Sequence, residues 1–202
     1  LAAANPFVFG TFTLYEGRSS YNLNQVSITH HFVELAGEQP GIYYGYYFLE
    51  LADYFGQEGT DEKESMNLLY VTVKALLNPH IEDRLVRCIF ELRMMAAQGL
   101  CPSLFHCVCC ERQPVEGEEI FFSQQNHGIL DKHCLGQVND AKRISAPALY
   151  AMQYIVTTSL GKLYTFTVTE EVLYELERHI HTYVASNTEK RFKSLEILEI
   201  MS

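Results

Sequence analysis

The sequence predicts a mainly α protein: a helical domain with a small ribbon-like insert, preceded by a β remnant. Three observations predict it. Beyond residue 40, apolar residues recur at helical spacing behind good capping residues. Residues 5–30 show partial alternation broken by a turn. Paired cysteines interrupt the helical pattern in the middle of the chain. With 202 residues, the chain suffices for one large domain or a domain plus a fragment.

The alternating part comes first. Phe7, Phe9, Phe12, Leu14 and Tyr15 sit among Thr and Gly, and Glu16-Gly17-Arg18-Ser19-Ser20 turns the chain before Tyr21, Leu23 and Val26. A lone hairpin is marginal in water, so residues 1–28 read as the end of a larger β-domain. There is no initiator Met, and the N-terminal part is expected to be missing. Leu1 to Pro6 have neither a basic start nor a long apolar core, so no signal peptide is read.

From Ser27 the period changes and a helical domain, 29–202, begins. Thr29 to Ala36 is expected to be a short helix ending near Gly37. Gly41 to Phe55 carries Tyr43, Tyr44, Tyr46, Tyr47, Phe48, Leu49, Leu51, Tyr54 and Phe55, a stripe wide enough for a helix buried on most sides. A base-stacking platform would want Lys or Arg nearby, and Tyr43 to Phe48 has none. Thr60-Asp61-Glu62 reads as a cap and acidic first turn, and Asn78-Pro79 as the stop of that helix.

The span from His80 to Gln98 is the clearest amphipathic element. Ile81, Leu85, Cys88, Ile89, Leu92 and Met95 share a face, and Gly99 ends it. Asp83, Arg87 and Glu91 are spaced for solvated i,i+4 ion pairs. Arg84, Arg87 and Arg93 alternatively form a basic rim for an acidic partner. After the insert, Ser145-Ala146-Pro147 opens a helix with a Ser cap and an early Pro. Leu160 to Thr167 reads as an extended connector. Thr169 precedes a long helix whose stripe is Val172, Leu173, Leu176, Ile180, Tyr183 and Val184. His179 and His181 lie two apart on it, on different sides, and cannot form an H-x-x-x-H metal pair.

The insert, 101–144, holds the chemistry. Cys107 and Cys110 form a C-x-x-C pair, and twenty residues later Asp131 and Cys134 repeat the spacing. Two tight turns of this kind, brought face to face, can offer four ligands at tetrahedral corners, the layout of a structural zinc site. Asp131 stands where a fourth cysteine is usual, and a carboxylate oxygen can also bind zinc. The other reading is a metal-free loop held by its apolar residues, with buried reduced thiols. Glu116 to Phe122 is expected to be a strand.

Bulk composition excludes several classes. The net charge of −10 makes the chain a poor general binder of nucleic acid, whose phosphates need Lys and Arg. No apolar run reaches the roughly 18 residues of a membrane span, so no membrane contact is expected. Five of the six cysteines lie between Cys101 and Cys134, which without a secretory signal favours thiols or metal over disulfides and points to the cytoplasm. There is no P-loop, dinucleotide fingerprint or nucleophile elbow. A zinc deaminase would need H-x-E and P-C-x-x-C, and Pro102 is too far from Cys107. A nucleophilic Cys101 or Cys109 with His106 or His127 as base would need a lowered thiol pKa. No catalytic residues are assigned, and the protein is expected not to be an enzyme.

The order of these features resembles the RecO recombination mediators, bacterial DNA-repair proteins. Four places carry the resemblance: the hairpin from Pro6-Phe7 through Tyr21-Asn22-Leu23; Phe90-Glu91-Leu92 through Gly99-Leu100-Cys101-Pro102; Cys107-x-x-Cys110 with Phe121-Phe122-Ser123 and Gly128-Ile129-Leu130; and the closing Arg191-Phe192-Lys193-Ser194-Leu195. The resemblance implies that residues 1–28 end an OB-fold and that 101–144 is a zinc-ribbon-like insert in the helical domain 29–202. It implies Zn(2+) held by Cys107, Cys110 and Cys134, with Asp131 in the fourth position. It also implies a nucleoid-associated cytoplasmic protein that binds single-stranded DNA, mainly through the missing N-terminal part, and anneals strands. With RecR and the tail of single-strand-binding protein, it would help load RecA. Two alternatives stay open: a zinc-ribbon scaffold contacting only proteins, and a metal- or thiol-dependent enzyme.

Overall fold

The structure, a computed structural model, describes residues 5–201. Leu1 to Ala4, on which part of the leader reading rests, and Ser202 lie outside the described residues.

The chain begins as a hairpin. β1 (Val8–Glu16) pairs antiparallel with β2 (Tyr21–His31), from Val8 opposite His31 to Glu16 opposite Tyr21. The register slips between Phe9 and Gly10. A Cβ on Gly10 would lie 2.2 Å from Ser27 O, so only glycine permits that close approach. The tip is open: Leu14, Tyr15, Tyr21 and Leu23 are all exposed. The root is anchored, because buried Phe7 accepts the Phe32 N–H at its carbonyl, and Phe9 packs edge-on to Phe32 and Tyr70. The helix expected over Thr29 to Ala36 is not there. β2 continues to His31, and a 3-10 turn follows at Val33–Gly37. Leu35 is the buried residue of that turn, too little apolar surface to hold a helix face down.

The helical body consists of α1 (Gly41–Phe55), α2 (Lys63–Leu76), α3 (Asp83–Ala97), α4 (Ala146–Thr157), α5 (Glu170–Ser186) and α6 (Lys193–Met201). α3 is its axis and touches α1, α2, α4 and α5. The predicted face of α3, from Leu85 through Met95, is buried, as is Ile81 just before it. The aromatic stripe of α1 is core: Tyr47, Phe48 and Leu51 are wholly buried, and the Phe48 and Phe90 rings are 4.5 Å apart. α6 closes onto α1 through Phe192, which meets the edges of Tyr47 and Tyr54.

The caps differ from one helix to the next. Ser145 Oγ accepts from the Ala148 N–H, as expected for α4. Thr60 does not cap α2. Its hydroxyl lies in donating reach of Gln57 O and Glu62 Oε1, and Glu62 occupies the N-cap position without a side-chain capping bond. Thr169 sits at the N-cap of α5 but makes no capping bond either. The expected extended connector contains a 3-10 turn, Leu160–Lys162, because Leu163 is drawn fully into the core.

Between α3 and α4 lies the insert. Its sheet has the order β4-β3-β5, with β3 (Ile120–Ser123), β4 (Gly128–Asp131) and β5 (Lys142–Ile144) antiparallel. β3 starts later than predicted, since Gly117 at φ +84° turns the chain and Glu118 accepts the Val115 N–H. Ile120, Phe122, Ile129 and Ile144 belong to the main core. Cys107, Leu130 and Cys134 form a small core of their own, with Val108 and Phe121 packed on it.

No helix among the described residues is long and apolar enough to cross a membrane.

Candidate metal centre

The two ligand turns meet because β4 serves both. On one side, the segment before the first turn runs beside β4: Ser103 N donates to His127 O, and Ile129 N donates to Ser103 O. Gly128 makes room for it, since a Cβ there would lie 2.6 Å from Ser103 O. Val108 N then donates to Ile129 O at 2.8 Å, pinning the first knuckle to the strand. The knuckle closes on itself through Cys107 N to Arg112 O and Glu111 N to Cys107 O, with Glu111 at φ 60°. On the other side, Asp131 ends β4 and caps the 3-10 turn Lys132–Gln137. Its Oδ1 accepts from the N–H groups of His133 (2.9 Å) and Cys134 (3.1 Å). That cap swings Cys134 back over the knuckle.

The result is a four-donor cluster. The ligand atoms of Cys107, Cys110, Asp131 and Cys134 all lie within 4.8 Å of one another. A tetrahedral zinc with thiolates at about 2.3 Å sets sulfurs about 3.8 Å apart, so the donor set fits such an ion. Three of the four residues are buried and Cys110 is exposed. Three thiols and one carboxylate would complete a four-coordinate shell with no open position, the donor set of a structural site.

Hydrogen bonding and burial pull the groups of this cluster in opposite directions. The hydrogen bond from the Cys110 thiol, 3.2 Å from Oδ2, holds the Asp131 carboxyl down at about 2, with the backbone of Cys134 and His133 adding to it against burial. Burial opposes ionisation of Cys107, yet hydrogen bonds from the backbone of Asp131, Cys110 and Cys109 outweigh it and hold its pKa below the usual thiol value. Burial pushes Cys134 well up. A divalent cation at the centre would reverse that last effect, since coordinated thiols bind as thiolates.

Arg112 is the neighbour that sequence reading missed. Its guanidinium lies 3.4 Å from Asp131 Oδ2 and pairs with Glu118 at 3.0 Å. No spacing rule marks an arginine two residues past a C-x-x-C pair, so nothing in the sequence pointed to it.

The arginines read as a basic rim, Arg84, Arg87 and Arg93, each meet an acceptor within the chain. Arg84 makes a two-pronged pair with Glu177 and also holds Glu170. Arg87 is buried with Glu91 at 2.8 Å, not solvated as expected, because the C-terminal segment around Phe192 and Leu195 covers that side of α3. Arg93 donates to the Val156 carbonyl at the end of α4. Each guanidinium is already engaged within the chain.

The nucleophile reading finds no support. Burial pushes both Cys101 and Cys109 up, away from thiolate character. His127 Nδ1 lies 3.3 Å from the Tyr183 hydroxyl. All six cysteines are free. His179 and His181 do diverge: His179 packs on Phe122 of the insert, and His181 faces Cys88 and Glu91 on α3.

Comparison with known proteins agrees with this architecture. A family profile described as "Recombination protein O C terminal" matches residues 41–196. The DNA repair protein RecO of Alkaliphilus metalliredigens is 27% identical over 198 residues, covering 98% of this chain and 80% of the relative. That of Symbiobacterium thermophilum is 27% identical over 189 residues, covering 93% and 75%. That of Clostridium perfringens is 28% identical over 200 residues, covering 98% and 86%.

Proposed function

Because the chain belongs to the RecO family of DNA repair proteins, we propose that it acts as a non-enzymatic recombination mediator in the cytoplasm, on nucleoid DNA. It binds single-stranded DNA and anneals complementary strands. With RecR and the tail of single-strand-binding protein, it helps to load RecA.

The observation that carries this reading is the open hairpin. β1 and β2 project from a closed helical body with Phe12, Tyr15 and Tyr21 exposed. Exposed aromatics on an OB-type sheet are stacking surfaces for unpaired bases. A scaffold that met only proteins would have no need of them. Residues 1–28 are read as the last part of an OB-fold completed by preceding strands.

The insert, 101–144, is read as a zinc ribbon in the helical domain 29–202. Cys107, Cys110, Cys134 and Asp131 would hold Zn(2+), which would tie the two turns together and leave the chemistry of DNA to the rest of the protein.

Strand annealing by the full-length protein tests the function. Tyr15→Ala with Tyr21→Ala is expected to slow annealing and weaken single-strand binding by tenfold or more, since each stacked base contributes about 1–3 kcal/mol. RecR binding with no annealing by the parent protein would leave a protein scaffold instead.

A further inference from the structure

A cavity of about 330 Å³ opens between α1, α3, α5 and the C-terminal segment, apart from the metal centre. Tyr47, Arg87, Glu91, His181, Phe192 and Glu199 are among its walls. Its floor holds an anomaly. Glu91 is wholly buried, and its two oxygens are treated differently. Oε1 accepts from the Tyr47 hydroxyl at 2.7 Å and from Arg87 Nε at 2.8 Å. Oε2 accepts from nothing. A buried carboxylate oxygen without a donor is costly, and native proteins rarely leave one so.

The groups around it do not supply the missing donor. His181 Nε2 is 3.5 Å away, too far for a well-formed hydrogen bond, and burial holds that imidazole below its ordinary pKa, so it brings no positive charge either. Lys190 is held by Glu50 and lies over the Phe192 ring. Arg191 is turned to Glu196 at 3.1 Å. Glu199 on α6 has no ion pair among the described residues, and its charge acts on His181. Among the described residues, the buried polar atom of the cavity left without a partner is therefore an acceptor. Val184, Leu195 and the Phe192 ring give it an apolar stretch of wall, with Thr188 and Glu189 beside them.

We propose that this cavity binds a cationic N–H donor on a slim aliphatic stem, with Glu91 Oε2 at its floor and Glu199 at its mouth. Lysine or arginine side chains of a partner and free polyamines share that chemistry. The stem lies along Phe192 and Leu195 while the charged head reaches Oε2. The inference does not depend on DNA binding and would stand if annealing failed.

The test is a titration of the intact chain, followed by amide NMR, with three probes. N-acetyl-arginine methylamide carries the charge, its citrulline isostere has the same shape without the charge, and spermidine is a polyamine. The expected result is saturable shifts around Glu91, His181 and Glu199 with a charged probe, and binding of the isostere weaker by about tenfold or more. Tighter binding of the arginine amide assigns the site to a partner protein's side chain, and tighter binding of spermidine to a polyamine. Glu91→Gln should abolish the shifts. Glu199→Gln, at an exposed position that leaves the core intact, should weaken binding severalfold. Equal binding of arginine and citrulline probes overturns the proposal. So does the absence of saturable shifts from either charged probe, or binding unchanged in Glu199→Gln.

Discussion

Arg87→Met is the sharpest perturbation of the helical body. The Arg87 side chain is 11% exposed and that of Glu91 is 1% exposed, so the pair is shielded from water on nearly all sides. Methionine keeps much of the stem's volume and removes the charge. Glu91 would then be a buried carboxylate with only the Tyr47 hydroxyl to stabilise it. Breaking a buried pair by deleting one partner costs about 3–5 kcal/mol, far more than the pair contributes over an apolar substitute. At about 2–4 °C per kcal/mol for a chain of this size, the melting temperature should fall by roughly 10 °C. Urea unfolding and a thermal scan would both report it. The double variant Arg87→Met with Glu91→Leu removes the stranded charge as well. It should recover most of the loss, leaving about 1 kcal/mol for the orphaned Tyr47 hydroxyl. A loss under about 1 kcal/mol in Arg87→Met would refute the reasoning. So would a double variant that falls by the sum of the two singles, because contacting buried charges must couple.

Three further outcomes follow from the geometry. Asp131→Ala should remove zinc stoichiometry in metal analysis, and in metal-free protein should cost about 1 kcal/mol through the lost cap on His133 and Cys134; unchanged metal content would show that the three thiols suffice. Metal-free protein should lose stability in two acid windows. His179, buried on Phe122, is depressed to about 4, so between pH ~6.5 and ~4 the unfolded chain takes a proton that the folded one refuses, worth up to about 3 kcal/mol. Asp131 at about 2 adds a second loss from pH ~4 down to ~2, as its folded-state carboxylate is protonated. His179→Leu should flatten the first window and leave the second, as read by urea midpoints across pH. Phe48→Ala, at a fully buried ring 4.5 Å from Phe90, should cost about 3–5 kcal/mol in chemical denaturation, and a loss near zero would place that ring outside the core.

Several features were legible because the physics behind them is local. The wide aromatic stripe of α1 and the single apolar face of α3 are periodicities of three and four residues, and burial follows from them directly. Ser145 followed by Pro147 predicted the start of α4, because a cap involves only its own first turn. The grouping of Cys107, Cys110, Asp131 and Cys134 follows from local spacing in the same way, since each pair lies two residues apart on a single turn.

What the sequence left open involves partners far away along the chain. Thr29 to Ala36 carries enough apolar residues to suggest a helix, yet His30 and His31 extend a strand because Phe9 and Val8 lie opposite them. Arg84, Arg87 and Arg93 read as solvated ion pairs first and as partner-facing second. Their fate was decided by Glu177 and Glu170 on α5, by burial of α3 under the C-terminal segment, and by a carbonyl on α4. Arg112 beside Asp131, and the unpaired oxygen of Glu91, could not be seen at all before the elements were assembled. Periodicity and short spacings are properties of a segment and survive in a string of letters. Which charge meets which, and which polar atom is left without a partner, is a property of surfaces brought together by hydrophobic packing, and only the tertiary structure contains it.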